Sequence, residues 1–396
     1  MLINLRNALM AGKRLPYDNE VEFLESTGTQ YIETPYTVNT ATDKIRVTFQ
    51  GLDTANYKWF FGIYDNSGAI RLASGSGDMA NRRTVAYGSN TNYVADSITY
   101  NRPHELVADS NGLSIDGTSQ FSFASFASTS KFCLFTFGRD GSPASTVAGK
   151  VRIFAFQHWR NGVLISDYIP VRKGTVGYLY DRVSGKLFDN AGTGDFVLGP
   201  DVVPVEYLQS NRYQYINTGV MGSTPLKVTV DFKWLSGNVG NDRYILGSNG
   251  TGDTRLYFGT YDSQWMFGCG TFANATEIEE LKRYRAVCDF TTPTATLTID
   301  GAVKVQINQQ NEIANDYELR LFGRNNRGST SITYNGASQI YSALFESSGA
   351  KLRNFLPVRV GTEGAMMDVL TRRIYRNQGS GAFGYGNDLK YPIPAA

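Results

Sequence analysis

The sequence starts in the same way twice, and this repeat constrains the fold more than any other feature. Residues 21–34, VEFLESTGTQYIET, and residues 205–218, VEYLQSNRYQYINT, are identical at eight of 14 positions. Residues 170–199 align without a gap to residues 357–386, with 12 identities in 30 positions. Because matches occur at the start and the end of a segment, they indicate one fold present twice, in units of about 180 residues.

Shorter matches between these ends carry the pattern of β-strands. DKIRVTF (43–49) aligns with LKVTVDF (226–232), and apolar residues alternate with polar ones in both, as in strands with one buried face. LSIDG (113–117) and LTIDG (297–301) both end in Asp-Gly, a hairpin signal. The fold class predicted is all-β: two tandem antiparallel jelly-roll β-sandwiches with a short N-terminal extension. The best candidate for a helix is 275–284, for one or two turns.

The repeat also sets the predicted domain boundaries. A short Gly/Pro joint, GPDVVP, separates the two copies. The predicted organisation is an N-terminal attachment segment over 1–20, a first module over 21–200, a second module over 201–388 and a C-terminal tail over 389–396.

Composition excludes several classes of protein. The 38 basic and 36 acidic residues leave a net charge of +2, so no electrostatic footprint for nucleic acid is present. No run of 18 apolar residues predicts a membrane span, and the first residues lack the apolar core of a secretory signal. Cys133, Cys269 and Cys288 do not recur between the repeats, so buried free thiols are predicted, with a Cys269–Cys288 bridge left open.

The opening and closing segments of the first repeat resemble a known family. EFLESTGTQYIET and PVRKGTVGYLYDRVSGKLFDNAGTGDFVLGPD are similar to the concanavalin A-like jelly-roll modules, of laminin G and pentraxin type, in tail-associated or decorating proteins of phages and prophages. The resemblance covers residues 21–200 well and 205–388 more loosely, because YDRVSGKLFDN has become MDVLTRRIYRN. It implies a non-enzymatic virion protein that is made in the host cytoplasm and exposed outside the particle.

The partners expected from this resemblance are other virion proteins, gripped by the N-terminal segment, and glycans of the host surface or of mucus. A homo-oligomer is expected, and neither nucleic acid nor membrane is an expected partner. A second hypothesis is a purely structural decoration or assembly protein without sugar binding. A third is a degenerate glycan hydrolase. The third is disfavoured, because a hydrolase needs two carboxylates on one strand face and, of Glu20, Glu22 and Glu25, only Glu22 has a twin in the second repeat, Glu206.

Candidate binding residues are arginines that align between the repeats, together with nearby aromatic residues. Arg71 aligns with Arg255, and Arg139 with Arg324. Arginine beside Asp or Asn can hydrogen-bond vicinal hydroxyls, and an exposed ring can stack on a sugar; the alternative is a structural salt bridge and a buried core. The candidate ligand-binding residues are Arg71, Arg139, Asp140, Trp59, Tyr64, Arg255, Arg324, Asn325, Tyr257 and Trp265.

Metal sites receive little support from the sequence. His104 and His158 align with Tyr284 and Phe345, so neither is a recurring ligand, and no Cys/His cluster predicts zinc. No cofactor is predicted. Calcium is left open, in the loops DNSG (65–68) or NGTGD (249–253), although such loops are usually ordinary turns.

Overall fold

The computed structural model divides into two compact units. Unit 1 comprises the chain up to Val202 together with Thr371–Arg373, and unit 2 comprises Val203–Leu370 and the chain from Ile374. The structure describes residues 15–55, 57–65, 68–73, 84–88, 93–94, 98–100, 102–122, 125–237, 239–240, 242–251, 254–329, 335–390 and 392–394.

Strands make up nearly all the regular structure of the described residues of unit 1. One 3-10 turn, Ser145–Val147, lies among them. The strands are β1 (Asn19–Val21), β2 (Leu24–Glu25), β3 (Ile32–Asn39), β4 (Asp43–Gly51), β5 (Trp59–Asp65), β6 (Gly68–Ala73), β7 (Thr84–Tyr87), β8 (Tyr93–Val94), β9 (His104–Asp109), β10 (Gly112–Ile115), β11 (Thr118–Phe121), β12 (Ala127–Leu134), β13 (Gly138–Arg139), β14 (Ser142–Pro143), β15 (Val151–Arg160), β16 (Val163–Lys173), β17 (Val176–Asp181), β18 (Lys186–Phe188) and β19 (Val197–Leu198).

Unit 2 is built from strands in the same way, and β20 contains the boundary between the units. The strands are β20 (Asp201–Pro204), β21 (Leu208–Asn211), β22 (Ile216–Met221), β23 (Lys227–Trp234), β24 (Arg243–Asn249), β25 (Arg255–Tyr261), β26 (Gln264–Cys269), β27 (Thr271–Glu277), β28 (Arg283–Asp289), β29 (Thr294–Ile299), β30 (Ala302–Asn308), β31 (Glu318–Leu321), β32 (Asn325–Asn326), β33 (Ala337–Ser347), β34 (Ala350–Val360), β35 (Glu363–Asp368), β36 (Arg373–Tyr375) and β37 (Gly384–Tyr385).

Each unit is a sandwich of a larger and a smaller sheet with the same strand order. The larger sheet of unit 1 runs β11-β10-β9-β4-β15-β16-β17-β18, all antiparallel. Its counterpart in unit 2 runs β30-β29-β28-β23-β33-β34-β35. The smaller sheets run β3-β12-β5-β6-β7-β8 and β22-β31-β24-β25-β26-β27. The prediction of an all-β jelly-roll fold is confirmed.

A continuous apolar core lies between the two sheets of each unit. In unit 1 the rings of Phe49 on β4 and Phe61 on β5 lie 5.0 Å apart and join the sheets. In unit 2 the rings of Phe232 on β23 and Phe258 on β25 do the same at 5.4 Å. Since alternate residues of each strand face this core, the other residues of the smaller sheet form an outer face, and the candidate binding residues must be located relative to it.

Three details differ from or refine the sequence predictions. The helix predicted for 275–284 is wrong: β27 extends through Glu277, paired to Gln264, and β28 starts at Arg283. Unit 1 starts before residue 21, because Tyr17 is buried against Tyr180 with ring centroids 5.0 Å apart. The tail from residue 389 belongs to unit 2 as well: the Leu389 amide donates a hydrogen bond of 2.8 Å to the Pro204 carbonyl, and Ile393 is buried.

The three cysteines are buried free thiols, which confirms the interpretation favoured from their spacing. Burial raises the pKa of Cys133 and of Cys269 to about 12. Burial also raises the pKa of Cys288 well above its usual value. In the described part of the chain, no helix is long and apolar enough to cross a membrane.

Candidate ligand-binding surfaces

The hydrogen-bond register of the smaller sheets shows which residues of the two units are equivalent. Gly62 lies opposite Arg71 in unit 1, and Gly247 lies opposite Tyr257 in unit 2. The residue at the position of Arg71 is therefore Tyr257, and the alignment of Arg71 with Arg255 is wrong. The sequences IRL and TRL match, but they are not structurally equivalent. Both units have a bulge at the same place in the first strand of this hairpin, and the pairing after the bulge makes Arg71 equivalent to a residue two positions after Arg255.

The second aligned pair is displaced by the same amount. Phe135 and Phe322 both have left-handed backbones, with φ of 69° and 65°, a conformation uncommon for bulky residues. Both directly follow strands that pair with the same place on β5 or β24. Two residues further on stand Phe137 and Arg324, so Arg324 is equivalent to Phe137 and its alignment with Arg139 is wrong.

On the outer face of the smaller sheet of unit 1, five side chains form what we call the unit-1 arginine cluster: Trp59, Tyr64, Arg71, Phe137 and Arg139. The Arg71 guanidinium lies 4.6 Å from the ring centroids of both Trp59 and Tyr64, and 5.8 Å from that of Phe137. Burial lowers the pKa of Arg71 to about 10. Arg71 and Trp59 are buried, so their cation–π contact stabilises this face, but neither side chain is exposed to solvent.

The exposed rim of this cluster consists of Arg139 and Asp140. The Arg139 guanidinium lies 5.5 Å from the ring centroid of Tyr64, which is half-buried. The side chains of Arg139 and Asp140 are 59% and 57% exposed, and their ion pair has an N–O distance of 3.4 Å. The rim therefore presents a donor group, an acceptor group and part of an aromatic ring to solvent.

Unit 2 has an arginine–aromatic contact at the same place, built from exchanged positions. The Arg324 guanidinium lies 4.4 Å from the ring centroid of Tyr244 and 5.9 Å from that of Tyr257. Arg324 Nη1 also donates a hydrogen bond of 2.7 Å to the Tyr244 hydroxyl. Burial raises the pKa of Tyr244. Arg324 thus stands where unit 1 has Phe137, and Tyr257 stands where unit 1 has Arg71. Both units therefore have an arginine–aromatic contact here, although the residue types at the two positions are exchanged.

The remaining candidates in unit 2 lie elsewhere. Trp265 is 2% exposed and packs in the core, with its ring 5.8 Å from that of Phe258, so the expectation of an exposed stacking ring is wrong for it. Arg255 lies on β25, where its backbone pairs with Asn249. Asn325 is buried: its Nδ2 donates to the Glu318 carbonyl at 2.9 Å, and its Oδ1 accepts from a backbone amide at 2.9 Å.

Asn325 also lines a pocket that the sequence analysis missed. The pocket has a volume of about 430 Å³, and the side chains that matter most are those of Asn217, Met221, Asp316, Glu318, Arg320 and Asn325. The repeat points only to residues that recur, and Arg320 does not, because Cys133 occupies its position in unit 1. The signal available in the sequence was a pair of opposite charges, Glu318 and Arg320, that alternates with the core residues Leu319 and Leu321 along one strand.

The residues considered for metal binding and catalysis have structural partners. The Asp65 carboxylate accepts hydrogen bonds from Ser128 Oγ at 2.6 Å and from the Thr129 amide at 2.9 Å. In the two candidate calcium loops, residues 66–67 and 252–253 lie outside the described residues. Within the described ranges, no group of three His, Cys, Asp or Glu side chains is placed to hold a metal ion. The Glu25 carboxylate is paired with Arg152 at 2.6 Å.

Comparisons with known proteins give a weak structural likeness. No family model matches the chain, and no curated protein matches it. The chain is similar to domains LG4-5 of the mouse laminin alpha1 chain, at 10% identity and a TM-score of 0.29, over 96% of this chain and 97% of that one. It is similar to Trypanosoma rangeli sialidase in complex with 2,3-difluorosialic acid, at 12% identity and a TM-score of 0.26, over 72% of this chain and 59% of that one.

Proposed function

We propose that the protein is a non-enzymatic structural protein of a phage particle that displays two lectin-like modules, and that it binds glycans of the host surface or of mucus. The observation that carries the binding role is the rim of the unit-1 arginine cluster. There Arg139 and Asp140 are exposed beside the ring of Tyr64, which also contacts the buried Arg71.

The chemistry of this rim suits a sugar. Guanidinium N–H groups donate to hydroxyl oxygens, a carboxylate accepts from hydroxyl protons, and a ring face covers the apolar C–H side of a pyranose. An ion pair that is more than half exposed contributes little to folding, so Arg139 and Asp140 are available to a ligand at small cost in stability. Weak binding per module is tolerable where several copies act together through effective concentration.

The place in a particle is proposed from the resemblance of the opening and closing segments to phage modules. In this proposal the N-terminal residues attach the protein to other particle proteins, the two units lie outside the particle, and the chain forms a homo-oligomer. Because Tyr17 and Asn19 belong to unit 1, the attachment test is a deletion of residues 1–14 only. Loss of particle incorporation, measured by immunoelectron microscopy, is the expected result, and unchanged incorporation would contradict it.

The binding proposal is tested on an array of bacterial-surface and mucin glycans. Wild-type protein is compared with Arg139→Ala/Asp140→Ala and with the control Arg283→Ala. The control removes an exposed arginine that lies 3.8 Å from the ring centroid of Tyr341 on the larger sheet of unit 2. We expect the rim variant to lose at least one glycan signal that the control keeps.

Two outcomes would redirect the proposal. No signal from well-folded wild-type protein would favour the purely structural role, decoration or assembly of the particle without sugar binding. Release of reducing sugar from a bound glycan would favour a hydrolase instead and would contradict the non-enzymatic assignment.

A further inference from the structure

The pocket of unit 2 combines a buried cation with acceptor groups at its mouth. Arg320 is 4% exposed; its Nε donates to Asn217 Oδ1 at 3.0 Å and its Nη1 donates to the Ser329 carbonyl at 2.6 Å. Its guanidinium also lies 4.3 Å from the ring centroid of Tyr215. These contacts fix the group in one orientation, and its remaining N–H groups make no hydrogen bond with any described residue.

The acceptors come from the adjoining strand and turn. The Glu318 carboxylate accepts a hydrogen bond of 2.7 Å from the Gly219 amide through one oxygen, and Asp316, also at the pocket, is exposed. Met221, 56% exposed, supplies an apolar wall. The volume of about 430 Å³ lies within the roughly 300–1,000 Å³ of small-molecule sites.

The charges select the class of ligand. Two carboxylates disfavour an anion, and the buried guanidinium disfavours a cation. A neutral ring with several hydroxyl groups can hydrogen-bond to both the donors and the acceptors of the pocket. Each hydroxyl can accept from Arg320 or an amide and can donate to a carboxylate. We infer that this pocket of unit 2, and not its counterpart in unit 1, binds one neutral sugar residue.

The equivalent positions of unit 1 carry different residues. Glu33 stands at the position of Asn217 and Cys133 at that of Arg320, and both strands β3 and β22 bulge at the same place. Lys131 stands at the position of Glu318, and its Nζ lies 2.7 Å from a Glu33 oxygen. Thus unit 1 has an ion pair at the edge where unit 2 has Asn217 and the Glu318 carboxylate.

A matched variant follows from this comparison. Asn217→Glu/Glu318→Lys transfers the ion pair of unit 1 to unit 2, at positions where the fold already carries it once. The control Glu33→Gln/Lys131→Gln removes the pair from unit 1. Hydrogen-exchange protection of β22 and β31 establishes that the variant is folded.

The probes are methyl glycosides of neutral hexoses and N-acetylhexosamines, with methyl glucuronide as the acidic counterpart, measured by saturation-transfer NMR titration of the full chain. We expect a neutral glycoside to bind wild type and control alike, and to bind the transferred-pair variant at least tenfold more weakly. The inference is overturned if no neutral glycoside binds, if binding survives in that variant, or if the glucuronide binds more tightly.

The inference takes from the proposed function only the premise that the ligand is carbohydrate, and the two fail separately. Glycoside binding that persists in Arg139→Ala/Asp140→Ala supports the pocket whatever the array shows. A rim-dependent array signal without glycoside binding overturns the pocket and leaves the proposed function standing.

Discussion

A buried polar cluster in unit 1 has an apolar counterpart in unit 2, and this difference predicts a strong coupling between two residues. Asp43 is buried and accepts hydrogen bonds from His158 Nε2 at 3.0 Å and from Arg160 Nε at 2.9 Å. The larger-sheet register places Leu226 and Phe345, both buried in the core, where unit 1 has Asp43 and His158.

The perturbation is Asp43→Leu, alone and combined with His158→Phe. The single change leaves a buried imidazole without its acceptor, which costs about 1–3 kcal/mol, and removes the acceptor of the Asn39 amide, about 1 kcal/mol. Arg160 is 41% exposed, so water replaces its lost partner at about 0–1 kcal/mol. We expect the single variant to lose about 3 kcal/mol and the double variant only about 1 kcal/mol, because buried ion pairs replaced by apolar groups are often near neutral.

The assay is hydrogen exchange along a urea titration, read on peptides from β4 and β15 so that unit 1 is followed by itself. Completing the double-mutant cycle with His158→Phe gives the coupling energy, expected at about 2 kcal/mol plus whatever His158→Phe alone costs. A double variant as unstable as the sum of the two single variants would refute the reasoning, because Asp43 would then act independently of His158.

Three further outcomes are expected. Burial raises the pKa of Asp43, but hydrogen bonds from Arg160, the Asn39 amide, His158 and Thr42 together outweigh burial and lower the pKa from 3.8 to about 2. Unit 1 should therefore keep this stabilisation above pH 4 and lose about 2 kcal/mol as pH falls through 2, measured by acid titration of exchange. Gly62→Ala should cost about 3 kcal/mol or more in urea unfolding, because its Cβ would lie 2.1 Å from the Ile70 carbonyl oxygen; a silent change would contradict the register. Cys133 and Cys269 should resist iodoacetamide at pH 8 until urea is added, and rapid native alkylation would contradict their burial.

The larger sheets were predictable from the sequence in detail. His104 and Tyr284 pair with the equivalent residues Phe49 and Phe232, as the repeat alignment had it. In long strands, many alternating apolar and polar positions must match between the two repeats, and this fixes their alignment. The period of two makes any shift by one residue place apolar side chains in solvent, so the register is strongly determined.

The smaller sheets were not predictable to the same degree. Their strands are short and interrupted by bulges, and a bulge or a left-handed residue such as Phe135 moves the register without altering composition. The shared dipeptide Gly-Arg was therefore aligned two residues away from its structural position. Arg320 does not recur, because Cys133 stands at its position in unit 1, so the repeat gave no signal for it.

The most direct test of the central claim, that the outer face of the smaller sheet of unit 1 binds carbohydrate, is a hydrogen-exchange footprint of the protein saturated with the array glycan whose signal the rim variant loses. We expect added protection in residues 59–65 and 138–143 of unit 1, and we expect it to be absent in Arg139→Ala/Asp140→Ala. Protection confined to the larger sheets, or retained in full by the rim variant, would contradict it.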